Sequence, residues 1–140
     1  QIYDVSLGEL YGRNMLNDFN KGTALWTDWN VLLDETGGPN HVGNFCFAPI
    51  IADTRTGEVH YTYEYYYIGH VSKYIKPGSQ RIGNSSNRAA LISTAFMNEN
   101  GELVTVIMNE SDQDIETYLW IEGQAAKLSA PAHSIQTVVL

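Results

Sequence analysis

The sequence predicts a chain in two structural halves, an α/β part followed by an all-β part. Apolar residues recur at helical spacing over residues 6–20 and 63–75, and a short apolar run at 23–29 between them is typical of a strand. After Pro77 this spacing ends, and short strand-like runs alternate with turn-forming clusters. We therefore expect a helix–strand–helix unit and then antiparallel β structure, most typical of a sandwich.

The first helix is expected to begin at Ser6, because Glu9 three residues later completes a capping-box pattern. Lys21-Gly22 gives a plausible end. The following run, residues 23–29, is apolar over much of its length, as in a strand that is covered on both faces.

Residues 30–62 form a long connection that is rich in turn-forming residues. Loops longer than about 12 to 15 residues tend to be functional. Within it, the apolar run 45–51 is expected to be buried, so its Cys46, the chain's single cysteine, is expected to be an inert thiol. The second helix is predicted over residues 63–75, and Pro77-Gly78 ends it.

Asn100-Gly101 lies between two apolar runs and is a strong hairpin signal. Period-two spacing of Tyr118 and Trp120 also indicates a strand. Five strands are predicted in this half, over residues 89–97, 103–108, 115–121, 125–128 and 135–140.

Composition limits the classes of partner. The net charge of -8 argues against nucleic acid and anionic membranes, which bind clustered Lys and Arg. Charged residues make up 17%, below the usual fraction of about 25%. The 9 Tyr and 3 Trp suit a neutral ligand such as a sugar, although a large buried interface would give the same composition. No apolar run approaches the roughly 18 residues of a transmembrane segment, and no basic-then-apolar leader opens the chain.

The helix–strand–helix unit cannot close a sheet alone, because its single strand has no parallel partner. We therefore expect the first 76 residues to complete a larger α/β structure. The absence of a methionine before Gln1 likewise suggests a piece of a longer protein.

Several spaced motifs together resemble glycoside hydrolase family 30, especially its glucosylceramidase and β-1,6-glucanase branch. They occur in the family's order and span nearly the whole chain. The motifs are WTDWN (26–30), GGPN (37–40), GNF (43–45), APII (48–51), YYIGH (66–70) with Ser72-Lys73, IKPGSQR (75–81) and PAHSIQ (131–136).

The resemblance implies that residues 1–78 are the C-terminal end of a (β/α)8 barrel and that residues 79–140 form a β-sandwich domain. It also implies a retaining β-glycosidase, in which two carboxyl groups lie about 5 to 5.5 Å apart. In the family these are two Glu on barrel strands that precede this segment. We therefore expect no catalytic residue in this chain, no activity from it alone, and no cofactor or metal requirement.

By the same resemblance, Trp29, Asn44 and Phe45 match positions at the family's glucose-binding subsite. An indole stacks on the apolar face of a pyranose, and an amide both donates to and accepts from hydroxyl groups. The residues alone leave other roles open. Trp29 could be a core residue, Asn44 a turn cap, and Phe45 either rim or core.

Other polar and aromatic residues are expected to be structural. Trp26 is one, Asp28 is expected to hold the loop through backbone amides, and His70 to be a satisfied histidine. Adjacent Asp34 and Glu35 are not expected to act as an acid–base pair, because neighbours in a loop point apart. The four widely separated histidines do not have the spacing of a zinc site. The tyrosines of residues 63–67 are expected to pack.

The function expected is thus the C-terminal part of a β-glucosidase of glucosylceramidase type. Its partners would be a β-glucoside or β-glucan substrate, and the remainder of the barrel, as a separate chain or missing segment, or a second copy. Two alternatives stay open. One is a non-catalytic carbohydrate-binding or accessory β module, and the other is the same family acting on β-1,6-glucan or a xyloside.

Overall fold

The computed structural model describes residues 2–140. Its first helix, α1, spans Val5–Asn20. The cap is Asp4 rather than the predicted Ser6, because the Asp4 carboxylate accepts a hydrogen bond from the Ser6 backbone N–H at 2.9 Å. A carboxylate there also complements the positive end of the helix dipole. The predicted end of the helix at Lys21 is confirmed, since Lys21 is its C-cap.

The predicted strand at residues 23–29 does not pair. Residues 23–28 have no regular secondary structure and Trp29 lies in a bend. A strand exists only when a neighbour takes up its backbone hydrogen bonds, and within residues 2–140 no strand runs beside this segment.

The long connection contains a small three-stranded sheet that the sequence pattern did not predict. Its strands are β1 (Leu32–Asp34), β2 (Ile50–Asp53) and β3 (Glu58–Tyr61). β1 and β2 are parallel, and β2 and β3 are antiparallel. Leu33, Ala48 and Ile51 form its core, whereas Phe45 and Phe47 are 45% and 37% exposed and Cys46 is half-buried. The expectation that the whole run 45–51 is buried was therefore wrong.

The second helix, α2, spans Tyr63–Ser72, and residues 73–75 continue only as a turn. It packs closely against α1 because two glycines of α1 lie one turn apart under the ring of Tyr67. A Cβ on Gly8 would lie 2.7 Å from Tyr67 Cδ2, and a Cβ on Gly12 would lie 2.7 Å from Tyr67 Cδ1. Carbon atoms normally approach to about 3.5–4.0 Å, so only glycine permits this contact.

The remaining strands form the predicted antiparallel region. They are β4 (Gln80–Arg81), β5 (Leu91–Met97), β6 (Leu103–Asn109), β7 (Ile115–Ile121), β8 (Gln124–Ala130) and β9 (Ser134–Val139). One sheet has the order β4-β5-β6-β9, and β7 and β8 form a second sheet. The predicted hairpin at Asn100-Gly101 is confirmed by the antiparallel pairing of β5 with β6. Leu91, Ile107 and Ala130 pack between the two sheets with Ile115 and Leu128, which makes a sandwich.

One core joins the helical part to the larger sheet. It contains Leu16 of α1, Tyr67 of α2, and Val104, Val106 and Met108 of β6. Four of the five side chains are fully buried, and Tyr67 is 3% exposed. The helices therefore cover one face of the four-stranded sheet, and β7–β8 cover the other. Among the helices of residues 2–140, none combines the length and apolarity of a membrane span.

Candidate functional site

Trp29 stands at the edge of an open cleft of about 890 Å³ between the segment that follows α1 and one face of α2. Its side chain is 92% exposed, so it is not the core residue that the sequence left possible. An indole this accessible presents a full apolar face to a ligand. The cleft is lined by Asp28, Trp29, Val31, Pro49, Tyr65, Tyr66, Ile68, Gly69, His70, Ser72, Lys73 and Tyr74.

Asp28 fixes the backbone that carries Trp29. Its Oδ1 accepts from the Trp29 N–H at 2.8 Å and from the Tyr11 hydroxyl at 3.1 Å. Burial, with the Asp28 carboxylate beside it, raises the pKa of Tyr11 to about 12, so this phenol stays a neutral donor. Tyr11 also meets Trp26 edge to face, with ring centroids 5.8 Å apart. The structural roles expected for Trp26 and Asp28 are supported, although the amide that Asp28 holds is that of its own neighbour.

Asn40 organises the loop that carries Asn44 and Phe45. Its Oδ1 accepts from the backbone N–H groups of Val42 and Gly43, at 3.2 and 2.6 Å, and its Nδ2 donates to the Gly37 and Asn44 carbonyls. The Asn44 side chain makes one hydrogen bond in the described residues, from Nδ2 to Cys46 Sγ at 3.5 Å. Asn44 therefore does not cap the turn, and its amide is available to a ligand.

The structure places Trp29 before β1 and the Asn44–Phe45 pair beside the turn that follows β1. β1 and β2 are parallel, and the Ile50 N–H donates to the Val31 carbonyl at 3.1 Å. Trp29 lies three positions before β1, whereas the Phe45–Cys46 backbone lies against Gly37, just after the carboxyl end of β1, where the Cys46 N–H donates to the Gly37 carbonyl at 3.2 Å. The cleft itself includes Trp29 but neither Asn44 nor Phe45. Phe45 meets Phe47 edge to face at 5.1 Å, which holds it at the loop surface.

Asp34 and Glu35 are occupied by turn hydrogen bonds. Asp34 Oδ1 accepts from the Thr36 N–H and hydroxyl and from the Gly38 N–H, and Glu35 accepts from the Thr54 N–H and hydroxyl. The Thr36 hydroxyl lowers the pKa of Asp34, and the Thr54 amide lowers the pKa of Glu35. A general acid needs a raised pKa, so these shifts have the opposite sign.

Sequence reasoning missed the tyrosines that face the cleft. The residues at 63–67 were expected to pack, and Tyr67 does, but Tyr65 and Tyr66 are 42% and 56% exposed and line the cleft. Tyr65 contacts Tyr66 edge to face at 5.4 Å and Tyr61 at 4.7 Å. Consecutive residues of a helix point in different directions, so Tyr65, Tyr66 and Tyr67 cannot all face the core. This rule could have predicted from the sequence that some of them are exposed.

His70 is a satisfied structural histidine, as expected. Its Nδ1 lies 2.9 Å from the Thr137 hydroxyl, which donates to the His70 carbonyl at 3.2 Å. Because that hydroxyl has one proton, Nδ1 must be the donor to it. Burial lowers the pKa of His70, which favours this neutral form.

A second histidine, which the sequence did not single out, connects α1 to the β8–β9 turn. His133 Nδ1 lies 2.7 Å from Glu9 Oε1, and Nε2 lies 2.8 Å from Asp112 Oδ1. Two carboxylates can both accept hydrogen bonds from one imidazole only when both ring nitrogens carry a proton. These bonds, the one to Glu9 first, raise the pKa of His133.

The chemistry of the cleft suits a neutral, polyhydroxylated ligand. Its aromatic rings lie among hydroxyl and imidazole groups, and its charged groups balance, since Asp28 is the single carboxylate and Lys73 the single ammonium among the lining residues of the described chain. Within residues 2–140, no group of three or more His, Cys, Asp or Glu side chains converges as it would around a metal ion.

Family comparisons match both halves of the chain. The Glycosyl hydrolase family 30 TIM-barrel domain matches residues 3–75, and the Glycosyl hydrolase family 30 beta sandwich domain matches residues 78–138. The lysosomal acid glucosylceramidase of Mus musculus is 34% identical over 109 residues, which are 77% of this chain and 21% of that protein.

Solved structures agree with this fold. SrfJ from Salmonella typhimurium superposes with a TM-score of 0.94 at 31% identity, over 97% of this chain and 31% of SrfJ. The endo-beta1,6-glucanase BT3312 superposes with a TM-score of 0.83 at 23% identity, over 94% of this chain and 30% of the glucanase.

The chain spans 26% and 21% of the lengths of two curated relatives that it matches. The helices and sheets described above are thus the C-terminal part of the TIM barrel and the β-sandwich that follows it. By these matches, the chain belongs to glycosyl hydrolase family 30.

Proposed function

We propose that this chain is the C-terminal part of a retaining β-glycosidase that hydrolyses β-glucosides in the manner of a glucosylceramidase. Its sugar subsite comprises Trp29, at the edge of the cleft, together with Asn44 and Phe45 from the loop before β2, and both catalytic Glu precede this segment. Relatives above 30% identity include a glucosylceramidase, which favours a β-glucoside over a β-glucan. Residues 1–78 belong to the barrel and residues 79–140 to the sandwich in this proposal.

The observation that carries the proposal is a cleft with the aromatic and hydroxyl lining of a sugar site but without a pair of carboxyl groups. Retention requires a nucleophile and an acid on either side of the glycosidic bond. In the described chain, Asp28 is the one carboxylate that lines the cleft. Its Oδ1 accepts hydrogen bonds from the Tyr11 hydroxyl and from the Trp29 backbone N–H. Of the buried glutamates, Glu9 is bound to His133 and Glu64 does not line the cleft.

The subsite residues have the properties that sugar recognition needs. Trp29 is 92% exposed yet held at its backbone by Asp28, so an indole face is presented at a fixed position. Within the described residues Asn44 uses its Nδ2 for a hydrogen bond to Cys46 Sγ, and its Oδ1 is left to accept from a ligand. Such prepositioned groups bind without a large loss of side-chain entropy.

The test is hydrolysis of 4-nitrophenyl β-glucoside by the 140-residue chain and by the same chain combined with the preceding barrel segment. We expect turnover only from the combination. There, Trp29→Ala should raise KM at least about tenfold, since losing a stacked aromatic costs on the order of 1.4 kcal/mol. Val59→Ala, a 54% exposed side chain on the far edge strand β3, is the matched control and should leave KM unchanged.

Turnover by the 140-residue chain alone would refute the placement of the catalytic pair. An unchanged KM for Trp29→Ala in the active combination would instead refute the subsite and leave the family reaction standing.

A further inference from the structure

Two aromatic side chains of β7 point to solvent from the same face of the sandwich. Exposure alternates along the strand, with Glu116, Tyr118 and Trp120 exposed and the residues between them half-buried. Tyr118 is 65% exposed and Trp120 is 69% exposed. Their positions two residues apart set the rings about 7 Å apart along the strand. Single exposed aromatics need no explanation, but two on the same face of one strand place their apolar surfaces side by side.

The paired strand β8 does not cover these two rings, and an ion pair lies beside them. Ala125 lies opposite Trp120, and Lys127 lies opposite Tyr118. The small Ala125 side chain does not cover the indole. Lys127 Nζ binds Glu116 Oε2 at 2.8 Å, and this bond raises the pKa of the lysine and lowers that of the glutamate. The surface is therefore electrically neutral, with hydrogen-bonding groups beside its aromatic rings.

We propose that Tyr118 and Trp120 form a carbohydrate-binding surface that holds a neutral glycan chain by stacking on its pyranose rings. The surface shares no residue with the Trp29 cleft, so it provides a second point of contact with sugar. The inference does not depend on the proposed glucosidase activity.

Area and charge select this occupant. Two aromatic side chains of roughly 150–250 Å² each, about two-thirds exposed, offer about 200–350 Å², whereas a stable protein interface buries about 800 Å² per partner. Nucleic acids and anionic lipid surfaces bind clusters of Lys and Arg. Here Lys127 is bound to Glu116 and the chain carries a net charge of -8. A sugar chain needs neither a large area nor a charge.

The experiment is affinity electrophoresis of the full 140-residue chain in native gels that contain pustulan, laminarin or hydroxyethylcellulose, which are neutral β-1,6-, β-1,3- and β-1,4-glucans. We expect retardation by at least one of them, and it should persist in 0.5 M NaCl because stacking is not screened by salt. Trp120→Ala and Tyr118→Ala should each weaken the apparent affinity about tenfold, and Tyr118→Phe, which keeps the ring, should retain it.

Trp29→Ala separates this surface from the proposed subsite. Retardation that persists in Trp29→Ala and is lost in Trp120→Ala supports the proposal. Retardation that is lost in Trp29→Ala and kept in Trp120→Ala overturns it and leaves the cleft as the sugar site. Absence of retardation by all three glucans also overturns it. So does a result in which heparin or anionic phosphatidylserine vesicles retard the chain and no glucan does. Circular dichroism spectra of all variants verify that the sandwich is folded.

Discussion

Replacing Gly12 and Gly69 separately by alanine should shift stability in opposite directions, although both glycines lie inside helices. Alanine in a helix interior is favoured over glycine by about 1 kcal/mol. At Gly69 of α2 an added Cβ meets no atom within 4 Å, so the whole gain is expected. At Gly12 of α1 the same Cβ would lie 2.6 Å from Met108 Sδ and 2.7 Å from Tyr67 Cδ1.

The two neighbours of Gly12 cannot retreat freely, because Met108 is 0% and Tyr67 is 3% exposed. Forcing a methyl group into a packed core costs typically about 1–3 kcal/mol. The contact is about 1 Å too short, so the upper part of that range applies. After the gain in helix propensity, Gly12→Ala should lower the free energy of unfolding by about 1–2 kcal/mol, and Gly69→Ala should raise it by about 0.5–1 kcal/mol.

Urea unfolding of the 140-residue chain, followed by circular dichroism at constant m-value, measures both changes. Gly12→Ala should have a lower midpoint than the unmodified chain, and Gly69→Ala a higher one. A Gly12→Ala variant as stable as Gly69→Ala would show that α1 and α2 do not meet through Gly12, and the helix packing described above would be wrong.

Two further predictions concern the loop organised by Asn40 and the hydrogen bonds of His133. Asn40→Ala should destabilise the chain by about 0.5–1.5 kcal/mol, the usual net value of an intramolecular hydrogen bond, because most of the loop groups it releases are exposed and bind water instead. Asn44→Ala should change the thermal midpoint little, and equal losses would contradict the division of roles between the two amides. His133→Gln should lose stability chiefly at low pH. The folded pKa of His133 is raised, so the bonds to Glu9 and Asp112 stabilise the fold fully below the unfolded pKa of about 6.5 and weaken as pH rises through the folded pKa. A difference in thermal midpoint between His133→Gln and the unmodified chain that grows from pH 5 to pH 9 would refute this prediction.

Much of the fold follows from periodicity in the sequence. α1 begins one residue before its predicted start and ends as predicted, because a long amphipathic pattern fixes a helix well. The five predicted strands of the sandwich correspond to β5–β9, each bounded by turn formers. β1–β3 were missed because strands of three or four residues carry too little pattern to separate them from a loop.

The site was less predictable because exposure depends on tertiary packing. Phe45 and Phe47 belong to an apolar run that reads as core, yet both reach the surface. Along β7 the two faces both carry large apolar side chains, so alternation identifies the strand without saying which face is outside. His133 bonds to Glu9 across the whole length of the chain, and no local pattern encodes such a contact.

The core shared by α1, α2 and β6 has a consequence for protein engineering. The family models divide the chain near residue 76, but Leu16 and Tyr67 on one side pack against Val104, Val106 and Met108 on the other. The two sides of this sequence boundary therefore share one hydrophobic core. A chimera that joins this barrel end to a sandwich from a relative must import both sides of that contact together, since a larger residue opposite Gly12 would have no room.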